Sequence, residues 1–348
     1  MTEIYLIRHG EAEGNVFRRL HGQYDALLTP RGHQQVPYVQ KRFENIHIDG
    51  CFASDLTRAS LTSRSIYLAK DLTLHRDPRL REVYCGQWED RTYGWLHRFE
   101  SEQMHLFSHD PVKWRAPEAE TFEDYVARMY EGVVSAAQQY DGGTVAIFAH
   151  GCVIRGLLMR LFFGDDTSKL PFSDNTGVSR LFYDKGVLTY DFLNDGSHMP
   201  EHLSTYALQR WWRSTDNRRE ANCYIVPYTD KIALPAGLAL PDRDVHGESF
   251  VAMLHDAPVG VVSLGAAEGT TGRIIGMTLK DGMDGRMYGD QMLGQAFSHF
   301  RKLGCTRLAA NPGFYPDDVL NRYEFGGADL SRSIDNKCFD WSNPNAKD

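Results

Sequence analysis

The feature that most constrains this chain is a pattern that occurs twice, an apolar run ending in His-Gly. Ile4-Tyr5-Leu6-Ile7 leads into Arg8-His9-Gly10, and Thr144-Val145-Ala146-Ile147-Phe148-Ala149 leads into His150-Gly151. Such short apolar runs fit strands buried on both faces of a sheet. As parallel neighbours, these strands would place His9 and His150 together at one sheet edge, where open α/β sheets bind ligands. Gly10 allows a sharp turn and close approach to a ligand. A neutral imidazole is a nucleophile able to form a covalent phosphoryl intermediate. An adjacent guanidinium such as Arg8 holds phosphate oxygens in a bidentate fork. An Arg-His pair alone more often only caps a sheet, so the reading depends on the rest of the chain.

The 348 residues suit one large or two modest domains, and 42% hydrophobic residues suffice for sizeable cores. A net charge of −8 excludes a bulk electrostatic grip on nucleic acid or an anionic membrane, while leaving room for a local cationic pocket. No apolar run reaches the roughly 18 residues that span a bilayer, and no charged-then-apolar targeting segment opens the chain. The six cysteines form no C-x-x-C pair and no His-rich cluster. They read as reduced thiols of a cytoplasmic protein without a zinc site.

Thr29-Pro30 has the form of a helix start, cap then first-turn proline, with the helix running to about Phe43. Gly50-Cys51-Phe52-Ala53 is a short strand, and Ser54 or Asp55 is the expected cap of a helix carrying Arg58. A cation in a helix's first turn sits at the unfavourable end of the dipole. A bound phosphate would account for it, and so would a plain surface position. Glu82 lies in a loop (residues 77–89) and is the candidate general acid, although a loop Glu is usually only solvated. Residues 91–117, rich in aromatics, His and Met, form an insertion able to cover a site or simply to pack. Thr121 caps a long helix whose stripe of Phe122, Val126, Met129, Val133 and Ala137 is core. Gly177 to Phe192 reads as two strands around Lys185-Gly186.

Together these residues resemble the histidine phosphatase superfamily, also called phosphoglycerate mutase-like, over residues 1–195. The resemblance rests on Arg8-His9-Gly10-Glu11, Gly14-Asn15, His21-Gly22, Asp25, Leu28-Thr29-x-x-Gly32 with Gln34-Gln35, and Ser54-Asp55-Leu56-x-Arg58-Ala59. It continues through Leu80-Arg81-Glu82, Gly86-x-Trp88-Glu89, Glu120-Thr121-Phe122, Ala149-His150-Gly151 and Asn175. It implies a three-layer α/β/α sandwich around a mostly parallel sheet. It further implies a metal-independent phosphomonoester hydrolase acting on a small phosphorylated metabolite. By position, His9 matches the nucleophile, and Arg8, Arg58 and a protonated His150 match the cationic pocket. Glu82 matches the proton donor, and Asn15, His21, Gly22 and Gly151 match substrate contacts. Phosphomutases share the same core; the compact first half and the Gly-x-Trp-Glu loop look more like the phosphatase branches. Two positions depart from the family pattern: Cys152 stands where a second glycine is common, and Asp90 stands where glycine often follows Glu89. Both read as substrate-side variation.

Residues 196–220 form the expected linker, with Trp211-Trp212 expected to dock one half on the other. Beyond it, Asn222–Pro227, Ser249–Leu254, Pro258–Leu264 and Arg273–Leu279 read as strands, Tyr288–Leu303 as a helix and Thr306–Ala310 as a strand. This order in residues 221–348 resembles a smaller α+β domain of the GNAT acetyltransferase family. Arg286-Met287-Tyr288-Gly289-Asp290-Gln291 stands where that family binds the pyrophosphate of acetyl-CoA, so Arg286 and Gly289 are the implied cofactor contacts. Gln291 replaces a small residue of that loop. The alternatives are a domain that only shapes or joins its neighbour, or a bifunctional protein whose main activity lies in this half.

Overall fold

The computed structural model describes residues 1–209, 222–241, 247–313 and 315–336. Its first sheet is built from β1 (Thr2–Arg8), β2 (Gly50–Ala53), β3 (Leu74–Arg76), β4 (Thr144–Ala149), β5 (Val178–Asp184) and β6 (Val187–Asp195). The order is β3-β2-β4-β1-β5-β6. The first four strands are mutually parallel and the last two antiparallel. Arg8 pairs with Ala149 in the β1/β4 register, so the two His-Gly dipeptides leave the sheet side by side. The β5–β6 hairpin turns through Lys185 and Gly186, both with positive φ, as a twist-matched two-residue turn requires.

Side-chain alternation along β1 makes the three layers. Ile4 and Leu6 enter one core, and Tyr5 and Ile7 the opposite one. The chain's first helices are α1 (Glu13–Phe17), α2 (Pro30–Arg42) and α3 (Thr57–Tyr67). Val39 of α2 and Ile66 of α3 cover the Tyr5 face. The insertion folds as α4 (Tyr93–Phe99) and α5 (Ser101–His109). Next come α6 (Phe122–Gln139) and α7 (Gly151–Phe162), which supply Met129, Val133, Leu157 and Leu158 to the other face. Thr121 caps α6 in a reciprocal box with Asp124, and Thr29 caps α2 by accepting from Gly32. Asp55 does not cap α3. Asp25, from a distant loop, accepts from the amide and hydroxyl of Thr57 at 2.8 Å each, a long-range cap with no local signal.

A short helix, α8 (Thr205–Leu208), precedes the second sheet. That sheet comprises β7 (Tyr224–Pro227), β8 (Glu248–Leu254), β9 (Ala257–Leu264), β10 (Thr271–Leu279), β11 (Arg307–Ala310) and β12 (Ser331–Ser333), paired in reverse chain order. All pairs are antiparallel except β10/β11, which is bridged by the helix α9 (Gly285–Lys302). A further helix, α10 (Val319–Arg322), follows β11. The β8–β9 turn is His255-Asp256, both with positive φ. The Trp211-Trp212 pair lies outside the described residues.

The two sheets meet through α1. Its Val16 and Phe17 belong to the core of the second sheet, with Phe17 against Phe297 and Tyr323 at centroid distances of 5.2 Å each. A Cβ added at Gly294 would lie 2.5 Å from that of Phe17, so α9 approaches α1 as closely as backbone allows. Phe17→Ala is expected to lower stability by about 3–5 kcal/mol, the usual cost of emptying a fully buried aromatic site, as measured by urea denaturation.

Candidate active site

At the end of β1 and β4, His9 and His150 stand with ring centroids 5.1 Å apart, both buried. The Nδ1 atom of His9 is 2.6 Å from the Gly10 carbonyl oxygen. A carbonyl only accepts, so Nδ1 carries the proton and Nε2 keeps the lone pair. His150 has the reverse arrangement. Arg58 Nε donates to its Nδ1 at 3.1 Å, leaving Nε2 as the N–H donor. The turn holding His9 is fixed by Thr62, which accepts from the Gly10 amide at 2.9 Å, and by Gln35, which accepts from Glu11 at 2.7 Å. Asn175 donates to the His9 carbonyl at 3.1 Å.

Two guanidinium groups flank the imidazoles, and main-chain oxygens hold both. Arg58, 2% exposed, donates to the carbonyls of Tyr24 (2.9 Å), Gly22 (2.7 Å) and His21 (3.4 Å). Arg8 donates to the Ser173 carbonyl and hydrogen-bonds Tyr206. Among the described residues, no carboxylate forms an ion pair with either. Burial, reinforced by Arg58 and Arg8, pushes His9 well below the ordinary imidazole range. Burial, then Arg58 and His9, does the same to His150. The expectation of a protonated His150 is therefore corrected: the site holds two neutral imidazoles between two cations.

Glu82 faces the same cleft, and among the described residues lining it Glu82 is the only carboxyl group. Its oxygens accept from the amides of Cys152 (3.0 Å), Val153 (2.9 Å) and Val83 (3.0 Å), which seats it on the first turn of α7. Gly151 begins that turn where a side chain would press on Arg8 at 3.2 Å. Gly22 threads between Val83 and Glu89, its added Cβ only 2.2 Å from the Val83 carbonyl oxygen. Asn15 and His21 line the cleft from α1 and the loop after it. Four buried polar atoms here have no hydrogen-bond partner among the described residues, namely Arg8 Nε, His150 Nε2, Asn175 Oδ1 and His21 Nδ1. Buried polar groups are rarely left unsatisfied, and the two donors beside His9 suit an oxyanion.

Sequence reading thus assembled His9, Arg8, Arg58, His150, Glu82, Asn15, His21, Gly22 and Gly151 around one cleft. It missed Tyr206, hidden in the expected linker, and Phe172, while Tyr93, Met104 and Phe107 come from the insertion 91–117 that it marked only as able to cover a site. It also pointed to Arg286 and Gly289, which lie elsewhere, in the first turns of α9. There Asp284 already accepts from the amides of Arg286 (2.9 Å) and Met287 (3.2 Å), and Arg286 pairs with Asp317 at 2.9 Å. Pyrophosphate at this place would have to displace one carboxylate and compete with another. The turn Pro316–Asp318 and α9 both pack against β10. No group of three His, Cys, Asp or Glu side chains is placed to hold a metal ion among the described residues.

The directions of these shifts give a titration test. Both imidazoles should stay neutral at pH 6, read by imidazole nitrogen chemical shifts. In Arg58→Gln the His9 pKa should rise, because one of the cations opposing its protonation is gone. A His9 that titrates near 6.5 in the intact protein would contradict the described electrostatics.

The family model for the histidine phosphatase superfamily (branch 1) matches residues 4–196. A probable phosphoglycerate mutase GpmB of Serratia proteamaculans is 32% identical over 218 residues, covering 61% of this chain and all of that protein. The structure of Bacillus stearothermophilus YhfR superposes with a TM-score of 0.54 at 30% identity, covering 57% of this chain and 99% of that one. A phosphoserine phosphatase from Entamoeba histolytica, solved as a mutant with phosphoserine, gives 0.51 at 25% identity, covering 57% and 100%. With the paired His-Gly strand ends, the two guanidinium groups and the Glu82 seat already in place, this chain belongs to the histidine phosphatase superfamily.

Proposed function

We propose that the chain is a metal-independent phosphomonoester hydrolase that works through a phosphohistidine at His9. The observation that carries this reading is the resting state of His9, whose buried neutral ring presents an Nε2 lone pair beside two guanidinium groups. In-line attack by Nε2 on phosphorus would form the N–P bond as the P–O bond to the leaving alcohol breaks. Arg8, Arg58 and the Nε2–H of His150 would receive the charge on the equatorial oxygens. Glu82 would supply the proton taken up by the leaving oxygen and then accept one from the water that cleaves the N–P bond, restoring the starting state. The positive charge comes from Arg8 and Arg58, the role a metal ion fills in other phosphoryl-transfer sites.

The substrate is read as a small phosphorylated metabolite whose alcohol part lies against Tyr93, Met104, Phe107 and Phe172. The name of the Serratia relative supports a second reading, a phosphomutase. It differs in one observable: a mutase would depend on 2,3-bisphosphoglycerate and release no net phosphate. The chain is further read as dividing at residues 196–220. The second sheet is read as support for the first rather than as an acetyl-CoA enzyme, because its helix start is already capped by Asp284.

Phosphate release from a panel of sugar phosphates, phosphoglycerates, phosphoserine and nucleotides, with and without chelator, tests the proposal. Chelator-resistant release that falls by at least about a thousandfold in His9→Ala is the expected outcome. Chelator-sensitive turnover, or full turnover in His9→Ala, would overturn it. Glu82→Gln should cost about 10²–10⁴-fold on alkyl phosphates and much less on p-nitrophenyl phosphate, whose leaving group needs no proton.

A further inference from the structure

Asp90 is not the substrate-side variation that the sequence suggested. It is 4% exposed and takes a left-handed φ of 60°, a conformation easier for glycine. Four partners surround its carboxylate. Arg19 Nε donates to Oδ1 at 2.6 Å, and His21 Nε2 lies 3.2 Å from the same oxygen. Ser298 Oγ donates to Oδ2, and Lys302 Nζ stands 3.2 Å away. Burial works against the charge, but Arg19 and His21 outweigh it and hold the carboxyl well below the usual carboxylate range. Ser298 and Lys302 belong to α9, the helix of the second sheet. That helix also bonds Arg19 directly, through Gln295 (3.2 Å) and Ser298 (3.0 Å).

From Asp90 the connection to the chemistry is short. His21, held at its Nε2 and stacked on Tyr24 at 4.5 Å, opens the segment 21–24. The carbonyls of His21, Gly22 and Tyr24 are the cradle of the Arg58 guanidinium. A second tie runs in parallel. Glu13 of α1 forms a buried two-bond pair with Arg301 of α9 at 2.7 and 3.0 Å, two residues before Asn15.

We propose that Asp90, clamped by Ser298 of α9, is a positioning residue for the phosphoryl site. It sets segment 21–24 and through it aims Arg58, so the second sheet completes the active site of the first. This rests on the reading of the cleft as a phosphoryl-transfer site. Releasing the clamp leaves every group that would touch phosphate present and loosens only its aim. The loss should then appear where alignment matters, in the transition state, more than in ground-state binding.

The test compares Asp90→Asn, Ser298→Ala and Ser298→Thr with Val251→Ala, a fully buried residue on the far face of the second sheet. Each variant is measured for kcat and KM on the best phosphomonoester and for inorganic phosphate affinity by calorimetry. Asp90→Asn should lower kcat by at least about tenfold with KM within about threefold, and weaken phosphate binding by about threefold or more. Ser298→Ala should show a smaller loss of the same kind, and Ser298→Thr, which keeps the hydroxyl, should recover most of it. Val251→Ala should lower the melting temperature while leaving kcat as in the unsubstituted protein. Unchanged kcat and phosphate affinity in folded Asp90→Asn would overturn the proposal, as would an equal kcat loss in Val251→Ala. Absence of turnover in the unsubstituted protein would overturn the hydrolase reading alone, since phosphate affinity still reports the aim of Arg58. Absence of both turnover and phosphate binding would overturn the two together.

Discussion

Two like charges held close with no direct ion-pair partner among the described residues are the constraint on which this structure turns. Arg58, fully buried, is repelled by Arg8 and attracted by the carboxylates of Asp25, Glu82 and Glu89, none of which pairs with it directly. Such an arrangement persists only where surrounding dipoles compensate it. Here the compensation is main-chain, from the carbonyls of Ser173, His21, Gly22 and Tyr24. Carbonyl dipoles offset part of the desolvation cost but leave the net charge in place. Much of the surrounding architecture serves that cradle: the parallel pairing of β1 with β4, the Asp25 cap on α3, and the close passage of Gly22 under Val83.

The same constraint explains the state of the imidazoles. Beside exposed carboxylates a histidine pair would be partly protonated near neutrality. Between buried cations, protonation would add like charge in a low-dielectric setting, so both rings stay neutral and differ only in tautomer. Gly10 and Arg58 set that difference, one by accepting and the other by donating. Chemical roles are thus assigned by backbone and guanidinium geometry rather than by residue type, which is identical at both positions.

Much of this was legible in the sequence because it is local. The apolar strands, the Thr29-Pro30 and Thr121 helix starts and the His-Gly ends are written in consecutive residues, and they fall where expected. The second sheet's strands and long helix were legible for the same reason. What escaped is non-local. Asp25 capping Thr57, Tyr206 reaching Arg8 and Asp90 joining α9 each pair residues many positions apart, with no periodicity linking them. The helix start at Arg286 is ambiguous for a related reason. The Gly-containing turn that precedes an anion-binding helix also suits one that supplies its own carboxylate, as Asp284 does for the amides of Arg286 and Met287.

The contact between His9 Nδ1 and the Gly10 carbonyl has a consequence for the loaded site. With Nδ1 committed to the carbonyl, Nε2 is the ring nitrogen left open, so under the proposed function a phosphoryl adduct would form there. Substitution there would leave the ring with its Nδ1 proton and a positive charge. The bond at 2.6 Å would then become charge-assisted and roughly twice as strong. One backbone oxygen would therefore both orient the ring that attacks and stabilise the ring that carries the phosphoryl group.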